Sequence, residues 1–203
     1  MPASPEAFFS RVQAASDDSG RLPLSRMTGW EVFPFEPDGL RVVTLAPPVV
    51  PEPPRQGEGG RPCSACDEPD RNVVWTDDVW RVRVTAGSTG APLLLILEPY
   101  EHVDLPDLSD ELASSMGRLV VHVVRAIEAL PHIARAHVSR WGDGGAHLHL
   151  FVYARPAGFS QLRGTCMAIW EDLLPPTPPD ELAVDARRVG EALVGSYGGR
   201  VLG

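Results

Sequence analysis

The chain has 203 residues, 43% of them hydrophobic, which is ordinary for a globular protein and enough for one full domain with appended segments. A formal net charge of −9 and a sequence pI of about 5.1 argue against non-specific binding to nucleic acid or to an anionic membrane. A nucleotide is not excluded, because one basic or metal-lined pocket suffices. No apolar run approaches the roughly 18 residues of a membrane span. The N-terminus lacks the basic and apolar regions of a signal peptide, and three cysteines, two of them in a C-x-x-C, do not make a secreted disulfide framework. A cytoplasmic protein without a membrane partner is the expectation.

In chain order, Ser4-Pro5-Glu6 reads as a helix cap, a first-turn proline and a dipole-matching acid, so a helix is predicted over about 5–15. Residues 30–35 and 40–45 look like short strands joined through Pro37-Asp38-Gly39. The polar, Pro- and Gly-rich stretch from Pro47 to Gly60 reads as a linker or draped loop. It divides an N-terminal extension, 1–60, from a main domain.

Cys63-Ser64-Ala65-Cys66 opens that domain. Strands are predicted at Val73-Val74-Trp75 and Val79–Val84, with a turn at Gly87-Ser88-Thr89-Gly90 and a buried strand over Leu93–Leu97. Ser109 caps the clearest helix, about 109–130, whose stripe of Leu112, Met116, Leu119, Val120, Val123, Ile127 and Leu130 lies on one face. Ala136–Ser139 is a strand that leads into Trp141-Gly142-Asp143-Gly144-Gly145. The stretch Ala146–Arg155 alternates with period two: His147, His149, Phe151, Tyr153 and Arg155 on one face, Leu148, Leu150, Val152 and Ala154 on the other. A core of 61–156 is thereby outlined. The remaining 157–203 reads as a helical extension, with a short helix near Met167–Leu174, a last helix over about 180–195, and Gly198-Gly199 releasing the tail.

Cys63-x-x-Cys66 has the bite of a tetrahedral thiolate site, although a redox dithiol uses the same spacing. The strands that follow it disfavour the redox reading, which needs a βαβ context. Zinc then requires about two more ligands. His102, after the buried strand, and His147 reach one point if their strands are neighbours. His149 is the candidate nucleophile towards phosphorus. It needs a partner that fixes its tautomer and groups that hold phosphate oxygens, for which Gly142, Gly144, Gly145 and Arg155 are candidates. Trp75 and Trp80 either stack on a base or pack in the core; Asp77 and Asp78 either reach sugar hydroxyls or make a hairpin turn. His122, His132 and His137 read as structural or surface residues, and Cys166 as a small buried side chain.

The ordered set runs from Cys63-x-x-Cys66 through the strand pair, then Leu93-Leu-Leu-Ile-Leu-Glu-Pro-Tyr-Glu-His102-Val-Asp-Leu-Pro-Asp-Leu-Ser109, the long helix and the His147-x-His149 strand. It resembles the histidine triad superfamily, and within it the galactose-phosphate uridylyltransferase-like branch. The resemblance implies an α+β fold, an antiparallel sheet with a long helix against it, usually paired as a homodimer. It further implies hydrolysis or transfer of a nucleoside phosphate or a nucleotide-sugar-like molecule through a nucleotidyl-histidine intermediate. Zinc would be held by Cys63, Cys66, His102 and His147, with His149 as nucleophile and Arg155 as the basic residue beyond the motif. Phe151 stands at the third motif position, where the family has His or, in this branch, Gln. The segment from Ser139 to His147 lacks the run that normally touches phosphate. Loss of one such donor costs about 10²–10³ in rate. The alternative implied is therefore a catalytically inactive protein that keeps zinc for folding and binds a ligand or partner in a pocket lined by Phe151 and Tyr153.

Overall fold

The computed structural model describes residues 4–85 and 89–202, so Gly87 and Ser88 of the expected turn lie outside the described residues. The chain divides into two units, Met1–Pro53 and Pro54–Gly203. In the first, α1 (Pro5–Ala14) starts where the hydroxyl of Ser4 accepts the Ala7 N–H, as the sequence requires. A short 3₁₀ turn follows at Arg26–Gly29, and no strand forms at 30–35 or 40–45 among the described residues. Those stretches have strand composition, but Pro34 and Pro37 remove ladder donors, and Trp30, Phe35, Val43 and Leu45 remain exposed.

The second unit carries the sheet. After the single turn α2 (Ser64–Asp67) come β1 (Val73–Thr76), β2 (Trp80–Val84), β3 (Leu94–Pro99), α3 (Asp110–Glu128), β4 (Ile133–Ser139), β5 (Leu150–Pro156), α4 (Met167–Leu173), α5 (Pro179–Ser196) and β6 (Arg200–Val201). Every pairing between these strands is antiparallel, and their order is β4-β5-β3-β2-β1-β6. Asp77 makes the β1–β2 turn: its carboxylate accepts the N–H groups of Val79 and Trp80.

Alternation sorts the sheet into two faces. Val82, Leu95, Leu97, Leu150 and Val152 point to one side, where Leu119, Val123 and Ile127 of α3 and Ala186, Val189 and Leu193 of α5 complete the core. α3 is anchored by Ser109, whose hydroxyl accepts the Leu112 N–H, and by Ser115, which accepts the Trp80 indole N–H. On the other side Leu94 and Tyr153, opposed in register, pack with Leu162 and Met167 beneath α4. β3 is thus apolar on both faces over part of its length, which explains its unbroken Leu-Leu-Leu-Ile-Leu run. The tail is not released at Gly198-Gly199. It folds back as β6 against β1, and the Gly198 carbonyl accepts the Trp75 indole N–H at 2.8 Å.

Candidate metal centre and cleft

β5 begins later than the sequence pattern suggests. His147 and His149 lie in the extended segment before its first residue, Leu150. The ladder from β3 ends at Leu97↔Leu150. Pro99, which closes β3, has no N–H to continue it. Instead Leu148 donates to the Val103 carbonyl, and Ala146 donates to that of Gln56. The segment that carries the two histidines is consequently held by a loop on either side, and both histidines border one cleft.

Because β3 and β5 are neighbours, the turn after β3 brings His102 to His147, and α2 brings the two thiols. The donor atoms of Cys63, Cys66, His102 and His147 all lie within 4.8 Å of one another. Nδ1 of His147 is 3.6 Å from Sγ of Cys63 and 3.5 Å from Sγ of Cys66; Nδ1 of His102 is 3.3 Å from Sγ of Cys66. A tetrahedron with Zn–S and Zn–N bonds of about 2.3 and 2.0–2.1 Å places sulfur about 3.5 Å from nitrogen, so the spacing suits zinc. Nε2 of His147 donates to the Pro99 carbonyl at 2.8 Å, which leaves Nδ1 with its lone pair towards the sulfurs. Burial lowers the His147 imidazole below its usual range and so favours the neutral, ligating form. Burial and the neighbouring Cys63 push the Cys66 thiol up to about 11, a cost that a bound dication reverses. Gly57 closes the site from above. It has φ of +81°, and a Cβ there would stand 2.5 Å from Cε1 of His102.

A cleft of about 330 Å³ adjoins this centre, with Gln56, Arg83, Ile96, Gly144, Gly145, His149 and Phe151 in its wall. Nδ1 of His149 donates to its neighbour's carbonyl, that of His147, at 2.8 Å. The tautomer is thereby set, and Nε2 is left with its lone pair. The glycine turn is held by two neighbours: Gln56 N–H donates to the Gly144 carbonyl, and Arg55 Nη1 donates to the Gly142 carbonyl at 2.6 Å. A Cβ on Gly144 would meet nothing within 4 Å, so this backbone borders open space. Arg55 and Arg140 both grip Asp104, two residues past His102. Burial would raise the Asp104 carboxyl, but the Leu105 N–H and the two guanidiniums outweigh it and hold the group below the usual carboxylate range.

Two expected contacts are elsewhere. Trp75 is fully buried in the helix-side core and cannot stack on a ligand in the cleft. Its strand is three positions from β5, with β3 and β2 between, and it faces the opposite side of the sheet from His149. Arg155 is six residues along from His149, about 20 Å of strand. Its Nη1 donates to the Phe159 carbonyl at 3.1 Å, and it does not line the cleft. The cation that does is Arg83. Arg81 and Arg83 share Glu98: Arg81 Nε donates at 2.7 Å, Arg83 Nη2 is at 3.1 Å, and Arg81 and Glu98 are almost fully buried. The triad carries one net positive charge. Arg-Val-Arg reads in sequence as the solvated face of a strand; the only hint of its burial is Glu98 ending an otherwise apolar run opposite it.

No family model matches the chain, and no curated protein does at a significant level. Solved structures do. A hypothetical histidine triad nucleotide-binding protein from Sulfolobus tokodaii aligns over 70% of this chain and 100% of its own, at 13% identity and a TM-score of 0.50. A histidine triad protein from Sinorhizobium meliloti aligns over 63% and 94%, at 18% identity and a TM-score of 0.50. A zinc-bound histidine triad family protein from Mycobacterium smegmatis aligns over 61% and 84%, at 20% identity and a TM-score of 0.45. With the antiparallel sheet, the long helix against it and the paired histidines at the mouth of β5, the fold of this chain is the histidine triad fold.

Proposed function

We propose that the protein is a zinc-stabilised nucleotidyl hydrolase or transferase that acts on a nucleoside phosphate, with His149 as nucleophile. The observation that carries this reading is the hydrogen bond from Nδ1 of His149 to the His147 carbonyl, which makes Nε2 the nucleophilic nitrogen of the neutral ring, in a cleft that also holds Arg83. In the first step Nε2 attacks phosphorus, a P–N bond forms, and the P–O bond to the leaving group breaks. In the second, water or another acceptor attacks the same phosphorus and returns the electron pair to Nε2. Arg83 and the backbone of Gly144 and Gly145 are the groups in the cleft wall suited to phosphate oxygens. Cys63, Cys66, His102 and His147 would hold zinc, whose contribution is to fix His147 and, through its carbonyl, His149. A nucleotide or nucleotide sugar is the partner this chemistry requires.

The competing reading, a binding protein without turnover, is favoured by Phe151, which sits 5.3 Å from the His149 ring and can neither donate a hydrogen bond nor carry charge. Incubation with dinucleoside polyphosphates, nucleoside phosphoramidates and nucleotide sugars decides between them. Acid-labile labelling of the wild type and its loss in His149→Ala are expected. No labelling with any substrate, or an active His149→Ala, would leave the binding reading.

A further inference from the structure

We propose that Cys63 and Cys66 are an oxidation site: their sulfurs close to a disulfide, the metal is released, and the segment that carries His149 loosens. What is released rests on the zinc reading; the reaction of the sulfurs rests on the pair alone. This is a reversible modification of the chain, distinct from the redox catalysis that the strands after the pair disfavour.

Reach comes first. Cys63 caps the single turn α2 and Cys66 lies within it, its N–H donating to the Cys63 carbonyl at 3.0 Å. Residues three apart on a helical turn have Cα atoms about 5 Å apart. A disulfide spans about 4.4–6.8 Å between Cα atoms. Both sulfurs already approach the same atom, Nδ1 of His147, at 3.6 and 3.5 Å, and they lie within 4.8 Å of each other. Rotation of the two side chains therefore suffices to join them, and the backbone of α2 need not unwind.

Access and chemistry come second. Cys66 is exposed, and Cys63 is half-buried in the wall of the open cleft, whereas Cys166 is buried. A small oxidant in solution reaches the pair without unfolding the chain. In the loaded centre both sulfurs are thiolates, the form that reacts. With a peroxide, one thiolate attacks oxygen, the O–O bond breaks, and a sulfenic acid forms. The second thiolate attacks that sulfur, the S–S bond forms, and hydroxide leaves. The two sulfurs lose two electrons between them; the peroxide gains them and, with two protons from solvent, becomes two waters. A disulfide offers no thiolate charge, so His102 and His147 alone are left to the metal. A thiol reductant reverses the step.

The consequence for the cleft comes third. Two hydrogen bonds tie the thiol turn to its opposite walls. Sulfurs joined to each other no longer hold Nδ1 of His147, whose carbonyl accepts the Nδ1–H of His149. Within the C-x-x-C, the Ala65 carbonyl accepts Arg81 Nη2 at 2.6 Å, and Arg81 shares Glu98 with Arg83. The proposed nucleophile and the cation in the cleft wall are thus both connected to the oxidation state of the pair. None of the four metal donors belongs to the apolar core, so the sheet survives the change and the step can be undone.

The test treats the zinc-loaded full chain with hydrogen peroxide beside a colorimetric zinc indicator. Intact mass, non-reducing peptide mapping and amide exchange follow the protein. Release of about one zinc per chain is expected, together with a Cys63–Cys66 disulfide, a chain two hydrogens lighter and faster exchange in residues 141–149. A thiol reductant should restore zinc uptake and the slow exchange, and Cys166→Ser should behave as the wild type does. The site is overturned if the thiols stay reduced, or if they pass to sulfinic acid without closing. It is also overturned if the disulfide forms while zinc stays bound, or while exchange in 141–149 is unchanged. The zinc reading fails separately. A chain that is purified without metal, yet closes the disulfide and exchanges faster in 141–149, removes zinc and keeps the oxidation site; a chain that holds zinc over inert thiols does the reverse. Labelling of His149 in the reduced chain tests the nucleotidyl reading independently of both.

Discussion

At the scale of single residues, the tautomers of His147 and His149 are set by two backbone carbonyls, of Pro99 and of His147 itself. Neither carbonyl is identifiable from a pattern of side chains, although the alternation that places both imidazoles on one face is. Gly199 shows the same limit. In sequence it reads as the end of structure. In the fold it has φ of +77°, and a Cβ there would stand 2.5 Å from the Thr76 carbonyl oxygen and 2.7 Å from the Trp75 ring. Backbone and a fully buried indole cannot give way. Gly199→Ala is therefore expected to destabilise the protein by about 2–4 kcal/mol, from left-handed strain and overpacking together. Urea denaturation measures this, and a loss below about 0.5 kcal/mol would show that β6 is only loosely attached.

At the scale of elements, β2 and β3 are joined across the cleft face by Arg81, Glu98 and Arg83. Removal of the shared carboxylate strands a fully buried guanidinium whose Nη1 already lacks a partner, while the Ala65 carbonyl and the Tyr100 ring face its other side. Glu98→Gln is expected to cost about 3–5 kcal/mol, whereas the apolar pair Arg81→Leu with Glu98→Leu recovers most of that loss. Denaturant midpoints of the single and double variants check this; a neutral Glu98→Gln would mean that the pair is solvated in solution. The same triad marks where sequence reading stops. α3 was legible because its cap, acidic first turn and apolar stripe are all local. Cys63, Cys66, His102 and His147 were legible because thiols and imidazoles at these spacings have few other uses. Arg83 was not, because a charged residue on an alternating strand signals solvent, and only the partner strand shows that Glu98 meets it. Trp75 could have gone either way; the deciding contact, with Gly198, is more than a hundred residues distant. The strands expected near 30–35 and 40–45 failed for the converse reason: composition favoured them, but no neighbouring edge pairs with them.

At the scale of the whole unit, the four metal donors come from three segments far apart in sequence, and none of them belongs to the apolar core. The sheet is closed independently by α3 and α5, whose buried side chains lie on the opposite face. A zinc ion here would therefore act as a clamp on loops. It would join α2, the turn after β3 and the approach to β5, to which Gln56 and Arg55 tie the glycine turn. Metal binding then contributes to local order more than to the existence of the fold, unlike a zinc finger, which is unfolded without metal. The wild type is expected to hold about one zinc per chain, and Cys63→Ser to lose it. Chelation should lower the melting temperature and speed amide exchange in residues 56–66, 100–104 and 141–149, while β2, β3, α3 and α5 stay protected. It should also abolish any His149 labelling, because the carbonyl that fixes the nucleophile belongs to a metal ligand. Elemental analysis and exchange mass spectrometry before and after chelation make the comparison. Global loss of protection would make the metal part of the folding core, and an unchanged exchange pattern would deny it a structural role.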